Sequence, residues 1–175
     1  MHLDGARVFN AAVALGKSLA EITKPVDSIM FCLSKGLGAP VGSILVGSSD
    51  FISRARRRRK ILGGGMRQAG VLAAAGLIAL EESPKGLARD HENARHLAAG
   101  LSTLPAVRLD LSKVATNIVM FDVHTRKTAA SFCDDLRAHG VLASAFGPQT
   151  IRMVTHYDVD RPAIDRAIAA MSAVL

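Results

Sequence analysis

The chain contains no tryptophan and a single tyrosine. A platform for single-stranded nucleic acid needs several exposed rings on which bases stack, so that class of binder is excluded. Cysteine is scarce too: Cys32 and Cys133 lie far apart, with no Cys-x-x-Cys spacing. They read as free, buried thiols in a reducing compartment, with neither a disulfide framework nor a zinc site. No apolar run approaches the roughly 20 residues that span a bilayer, so no membrane association is expected. The start, Met1-His2-Leu3-Asp4-Gly5, has an acid at position 4 and is not a secretory signal. Internal repeats and low-complexity segments are absent as well.

What is present is 175 residues of which 49% are apolar. That is enough for the core of one domain, or of one domain with a small appendage. Charged residues make up 21%, too few for a polyelectrolyte tail. The formal charge is +7, but six positive charges fall in one stretch, at Arg54, Arg56, Arg57, Arg58, Arg59 and Lys60. Without them the balance is 16 against 15. The basicity is therefore local, and no nucleic-acid partner is expected. Arg56 to Lys60 are consecutive, and at about 100° per residue they cannot share one helix face. A solvated helix near an anionic site or a subunit boundary is the plainer reading.

Periodicity and breakers outline the elements. His2–Gly5 reads as a strand end, followed by a helix from Ala6 to Gly16. Asp27–Leu33 and Ser43–Gly47 read as strands on either side of a Gly/Pro-rich turn, Ser34–Gly42. Ser49 or Asp50 caps a helix through Ile61, which Gly63-Gly64-Gly65 stops. A helix over Met66–Glu82 ends at Ser83-Pro84, and another covers Gly86–Leu104. Beyond Pro105, strands at Val107–Leu109, Asn117–Val123, Val141–Ala143 and Thr150–Val154 alternate with helices at Arg126–His139 and Asp160–Leu175. A domain boundary is placed at 84, giving units 1–84 and 85–175. The strands of the first unit look buried on both faces, as in the middle of a larger parallel sheet.

Lys35 is the centre of the chemistry. It sits in Leu33-Ser34-Lys35-Gly36-Leu37-Gly38-Ala39-Pro40-Val41-Gly42-Ser43, directly after an apolar strand. One reading is a surface turn lysine. The other is a partly desolvated amine suited to Schiff-base chemistry, with glycines that let a flat cofactor approach the backbone. Asp4, at a strand end, suits the carboxylate that keeps a pyridine nitrogen protonated. Arg7 follows three residues later in the first helical turn. An aspartate and an arginine at a helix start are equally common as a plain cap.

His2-Leu3-Asp4-Gly5-Ala6-Arg7, Ser34-Lys35-Gly36-Leu37-Gly38-Ala39-Pro40-Val41-Gly42-Ser43, Gly63-Gly64-Gly65-Met66-Arg67-Gln68 and Arg152-Met153-Val154-Thr155-His156 occur in that order. Together they resemble the low-specificity L-threonine aldolase family. The resemblance runs through essentially all 175 residues and covers the C-terminal half of a family member. It implies an α/β fold of the aspartate-aminotransferase type (fold type I of the pyridoxal 5'-phosphate enzymes). The first unit would be the latter part of the large cofactor-binding domain, and the second the small C-terminal α/β domain. Pyridoxal 5'-phosphate (PLP) is the cofactor implied. Lys35 matches the lysine that binds it covalently, and Asp4 the partner of its pyridine nitrogen. Arg7 and Arg152 match the arginines that hold the substrate carboxylate, with Arg7 also near the cofactor. Arg67 matches an arginine that reaches the cofactor phosphate of a neighbouring subunit, and Lys60 lies near that place. The reaction implied is retro-aldol cleavage of L-threonine or L-allo-threonine to glycine and acetaldehyde, by a homodimer or homotetramer. It belongs to threonine catabolism and glycine formation, in the cytoplasm or the mitochondrion.

The family's ring-stacking histidine, its glycine-rich phosphate loop and its second active-site histidine have no match here. The expectation is a partial chain that keeps the covalent anchor but is inactive alone. Two alternatives stay open: a non-catalytic fragment that pairs with a full-length subunit, or another fold-type-I lyase. Among the six histidines, His91 and His96 read as solvated on a charged helix. His156 alone has a route to the site, and a structural role is its plainer reading. Gly63-Gly64-Gly65 lacks the Lys-Ser/Thr of a P-loop and reads as a hinge. Ala69–Ala79 reads as a buried helix or a subunit contact.

Overall fold

A side-chain cap or a glycine stop bounds most α-helices of the computed structural model, which describes residues 1–175. The chain divides into two compact units, Met1–Leu87 and Ala88–Leu175. The first opens with β1 (His2–Asp4), α1 (Val8–Leu15) and a short α2 (Leu19–Thr23). The sequence reading did not foresee α2. It forms because Ser18 and Glu21 make a reciprocal capping box, which satisfies the first free backbone N–H groups. β2 (Ser28–Cys32) and β3 (Ser43–Gly47) follow, then α3 (Ser49–Ile61) and α4 (Gly70–Glu82). Ser48 caps α3 through Phe51 N–H at 3.3 Å.

The sheet of this unit has the order β1-β2-β3. β1 and β2 are parallel, whereas β2 and β3 are antiparallel, with Met30 opposite Leu45. The all-parallel expectation is therefore corrected: the ten-residue turn between Cys32 and Ser43 holds no crossover helix, and a parallel return needs one. The expectation of strands buried on both faces is corrected too. Ile44, Leu45 and Val46 of β3 are 37%, 39% and 46% exposed. The helix expected from Met66 begins only at Gly70, because Gln68 adopts the left-handed region at φ +50° and breaks the ladder before it. On α4, Gly76 and Ala79 alone are buried; Val71, Leu77 and Ile78 face outward.

The second unit holds α5 (Leu87–Ser102), whose first residue closes the first unit, then β4 (Val107–Arg108), β5 (Ile118–Val123) and α6 (Ala129–Ala138). β6 (Ser144–Ala145), β7 (Thr150–Val154) and α7 (Arg161–Val174) complete it. Its antiparallel sheet has the order β4-β5-β7-β6. The strand expected at Val141–Ala143 lies instead at Ser144–Ala145, because pairing with Arg152 and Ile151 sets the register. Period-two burial puts Val119, Phe121, Val123, Ile151 and Met153 on one face. Ala94, Leu97, Ala98 and Leu101 of α5, Phe132 and Leu136 of α6, and Ile164 and Met171 of α7 pack with them into one core. No helix is long and apolar enough to cross a membrane.

Candidate active site

In open α/β sheets, ligands bind beyond the carboxyl ends of parallel strands. β1 and β2 end side by side, Asp4 standing opposite Met30. Asp4 is exposed, and its Oδ1 accepts from Ala6 N–H at 3.2 Å, a local turn that leads into α1. Gly5 N–H donates to Met30 O at 2.9 Å, and a Cβ at position 5 would press on that carbonyl and on Ile29. Close approach of the two strand ends thus requires glycine there. Arg7 is the N-terminal boundary residue of α1 and is half-buried; its Nε is buried without a hydrogen-bond partner. A buried N–H left unmade costs about 1–3 kcal/mol, so Arg7 is poised for an acceptor.

Lys35 follows the end of β2, in a turn pinned from both sides. Gly38 N–H donates to Lys35 O at 2.9 Å, and Ala39 N–H to Leu33 O at 2.9 Å. Gly38 has φ +72°, which favours glycine. Leu33, Leu37 and Ala39 point into a small core, and Ser83 Oγ donates to Leu37 O at 2.5 Å. Because the apolar neighbours turn inward, Lys35 itself is left exposed. Of the two readings of this lysine, the surface turn lysine describes its setting in the chain alone, and the partly desolvated amine does not. Asp4, Arg7 and Lys35 nonetheless share the carboxyl end of β1 and β2.

Arg67 lies on a fully exposed stretch between α3 and α4. Lys60 folds back over it: a Cβ on Gly65 would stand 2.8 Å from Lys60 Cδ and 3.4 Å from its Nζ. The structure therefore brings Lys60 onto the loop that carries Arg67. The rest of the basic run spreads around α3. Arg54 pairs with Asp50 at 2.9 Å, while Arg56 and Arg59 line a cavity of about 590 Å³ with Met30, Ile44, Leu45 and Ile52.

Arg152 belongs to the second unit. It alternates with buried Ile151 and Met153 along β7, so it stands on the open face of that sheet, opposite Met120 and Ser144. Its guanidinium carbon lies 5.3 Å from the centre of the Phe146 ring. Its Nε, like that of Arg7, is buried and unpartnered. His156 is exposed and stands 3.5 Å from Asp158.

A buried polar network that the sequence reading missed closes the end of β7. Thr155 Oγ1 donates to Asp90 O at 2.6 Å, and Thr155 N–H to Asn117 O at 3.0 Å. Asn117 Nδ2 donates to Thr155 O at 2.8 Å. Asn93 Nδ2 reaches Val159 O at 3.0 Å. The Asp90 side chain keeps one oxygen buried and unpartnered; burial pushes its carboxyl up, against the pull of Arg89 and His156. His91, expected in solvent, is 2% exposed: Asp90, His91, Ala94, Leu97, Ala98 and Leu101 form the inward stripe of α5. Burial, helped by Arg95, pushes its imidazole below the usual histidine range. His96 is half-exposed and bonded to Asp165 Oδ1 at 2.7 Å. Both thiols are half-buried and free, and burial pushes that of Cys133 up. No cluster of His, Cys, Asp or Glu is placed to hold a metal.

Residues 1–126 match the beta-eliminating lyase family model. The low specificity L-threonine aldolase of Escherichia coli (strain K12) is 46% identical over 175 residues, which are all of this chain and 51% of that protein. A solved structure from Listeria monocytogenes EGD-E, assigned as an L-allo-threonine aldolase, superposes with a TM-score of 0.79 at 21% identity, over 99% of this chain and 52% of that one. A C-DES mutant with glycine covalently linked to its PLP cofactor superposes at a TM-score of 0.64 and 18% identity, over 84% of this chain and 46% of that one. The α/β fold is that of fold-type-I PLP enzymes. The chain spans about half the length of the curated relatives it matches.

Proposed function

The chain belongs to the beta-eliminating lyase family, and from that premise we propose that it is the lysine-bearing part of a PLP-dependent threonine aldolase. The observation that carries the reading is the trio at one sheet end: the exposed Lys35 amine, the Asp4 carboxylate and the buried, unpartnered Nε of Arg7. An amine, an acid and an orphan guanidinium are the donor set that a pyridine aldehyde and an amino-acid carboxylate require. Lys35 would hold the cofactor, and Asp4 would keep a proton on its ring nitrogen. Bound there, PLP supplies the sink for the electron pair left when the Cα–Cβ bond of a β-hydroxy amino acid breaks. Arg7 and Arg152 each keep a buried N–H without an acceptor, and the guanidinium of either could take a carboxylate in a bidentate way that fixes orientation as well as charge. Arg67, with Lys60 beside it, would meet an anion such as a phosphate across a homo-oligomer interface. The products are glycine and acetaldehyde, and the compartment is reducing, the cytoplasm or the mitochondrion.

The open apolar surface of the first unit favours a second reading. Leu45 and Val46 on β3 and Val71, Leu77 and Ile78 on α4 are exposed, as in a piece that pairs with a full-length subunit and does not turn over by itself.

The purified chain is mixed with PLP, scanned for the absorbance of a lysine-bound aldehyde, then treated with borohydride and mapped by mass spectrometry. An adduct on Lys35, lost in Lys35→Ala, supports the first reading. Adducts scattered over surface lysines would remove it. Acetaldehyde release from threonine by this chain alone would remove the second.

A further inference from the structure

Two glycines flank the Lys35 turn for different reasons. Gly38 is in the left-handed region, at φ +72°. Gly36 is not; what position 36 lacks is room. A Cβ there would overlap Asn10 Oδ1 and lie 3.2 Å from Asn10 Cγ and 3.4 Å from its Nδ2. The backbone immediately after Lys35 therefore lies directly against the side-chain amide of Asn10. Asn10 is 1% exposed, a buried amide on an otherwise small apolar helix. Burying such a group costs free energy that a leucine or alanine would not, so its presence on this face calls for a reason.

The helix that carries Asn10 is also the one that follows Asp4 and Arg7. Val8 N–H donates to Gly5 O at 2.8 Å, and Cys32 N–H to Ala6 O at 3.3 Å, which ties the start of α1 to the ends of both strands. α1 is thus a short rigid bar. One end presents Arg7, and one turn later it bears on the Lys35 turn through Asn10.

We infer that Asn10 is a positioning residue that fixes the Lys35–Gly38 turn, and with it the placement of the Lys35 amine relative to Asp4 and Arg7. The inference rests on the proposed role of Lys35 for its consequence, but not for its geometry. Asn10 acts through the backbone of residue 36 and not on a reacting atom.

The test uses the whole chain with three substitutions. Asn10→Ala opens space, Asn10→Leu keeps the volume without the amide, and Asn10→Asp keeps the carbonyl-like oxygen. Hydrogen exchange at Gly38 N–H, which donates to Lys35 O, is followed without cofactor. Exchange about tenfold faster than wild type is expected in Asn10→Ala and Asn10→Leu, with the β2 amides unchanged and partial rescue in Asn10→Asp. With PLP added, the pH midpoint of the Lys35-bound absorbance should shift in the same two variants. Wild-type exchange in Asn10→Leu, together with an unmoved midpoint, would overturn the inference, because volume alone would then suffice. If Asn10→Ala does not fold, the Leu and Asp variants decide. If wild type forms no Lys35 adduct, the proposed function fails, while Gly38 exchange still decides the role of Asn10.

Discussion

Thr155→Val removes one hydroxyl from the buried network at the end of β7 and little else. Thr155 is 1% exposed, and its Oγ1 donates to Asp90 O at 2.6 Å. Valine replaces that hydroxyl with a methyl of similar size, so no cavity opens. The loss is therefore electrostatic. A net intramolecular hydrogen bond contributes about 0.5–1.5 kcal/mol, and a buried acceptor left partly unmet adds up to about 1–3 kcal/mol. The Asp90 carbonyl lies inside α5 and keeps its helical partner, which holds the sum near the low end, about 1.5 kcal/mol. For a unit of this size, that lowers Tm by roughly 6–12 °C. Thermal melts by circular dichroism and urea titrations at fixed pH would measure it. Thr155→Ser, which keeps the hydroxyl but drops a methyl, should lose about 1 kcal/mol through packing alone. Thr155→Val melting within about 1 °C of wild type, with an unchanged urea slope, would refute the network as a structural element. Arg152 stands three residues before Thr155, on β7.

Four further substitutions probe the same unit. His91 and Asp90 pull stability in opposite directions with pH. The unfolded chain takes up a proton at His91 from about pH 6.5 downward, whereas burial keeps the folded imidazole neutral, so stability falls on acidification below that point. Asp90 is the reverse: its raised folded value means that stability falls as pH rises from the unfolded carboxylate range through the raised one. His91→Leu should flatten the loss of stability on acidification below about pH 6.5, and Asp90→Asn should remove the loss that accompanies rising pH above the ordinary carboxylate range; urea midpoints across the acid-to-neutral range measure both. In the core, Leu136→Ala should cost about 2–5 kcal/mol, since Leu136 is fully buried among α6 and the sheet. Leu142→Ala, at a site 73% exposed, should stay within about 0.5 kcal/mol by the same titration.

The second unit was the more legible half, and the reason is physical. Its strands alternate buried and exposed residues, and its helices carry apolar stripes, so one chain supplies both sides of each contact. Sequence periodicity reads that directly: β5, β7, α6 and α7 fall close to their expected places. In the first unit, β3 and α4 are as apolar as core elements but expose that surface here. Composition reports what a segment is able to bury and cannot report what covers it. The burial expected of β3 therefore failed, although the strand itself was placed correctly.

The site shows a complementary division. Residues whose chemistry is rare at a given kind of place, such as a lysine after an apolar strand or an aspartate at a strand end, were visible one by one. What the sequence could not show is which polar groups are left unsatisfied, because that depends on three-dimensional accounting of partners. Arg7 and Arg152 look alike in sequence to the paired or solvated arginines at positions 54 and 57. Only folding reveals a buried Nε with no acceptor at both. The same accounting brings forward Asn10, Asn117 and Thr155, which occupy apolar positions of their periods and so read as interruptions. An orphan donor asks for a ligand, whereas a buried amide against a glycine asks for a backbone. On that distinction Arg7 and Arg152 are the candidates for binding in the proposed reading, and Asn10 is the candidate for the support of Lys35. A substitution that leaves the Lys35 adduct intact but weakens glycine binding should therefore be found at the two arginines and not at Asn10.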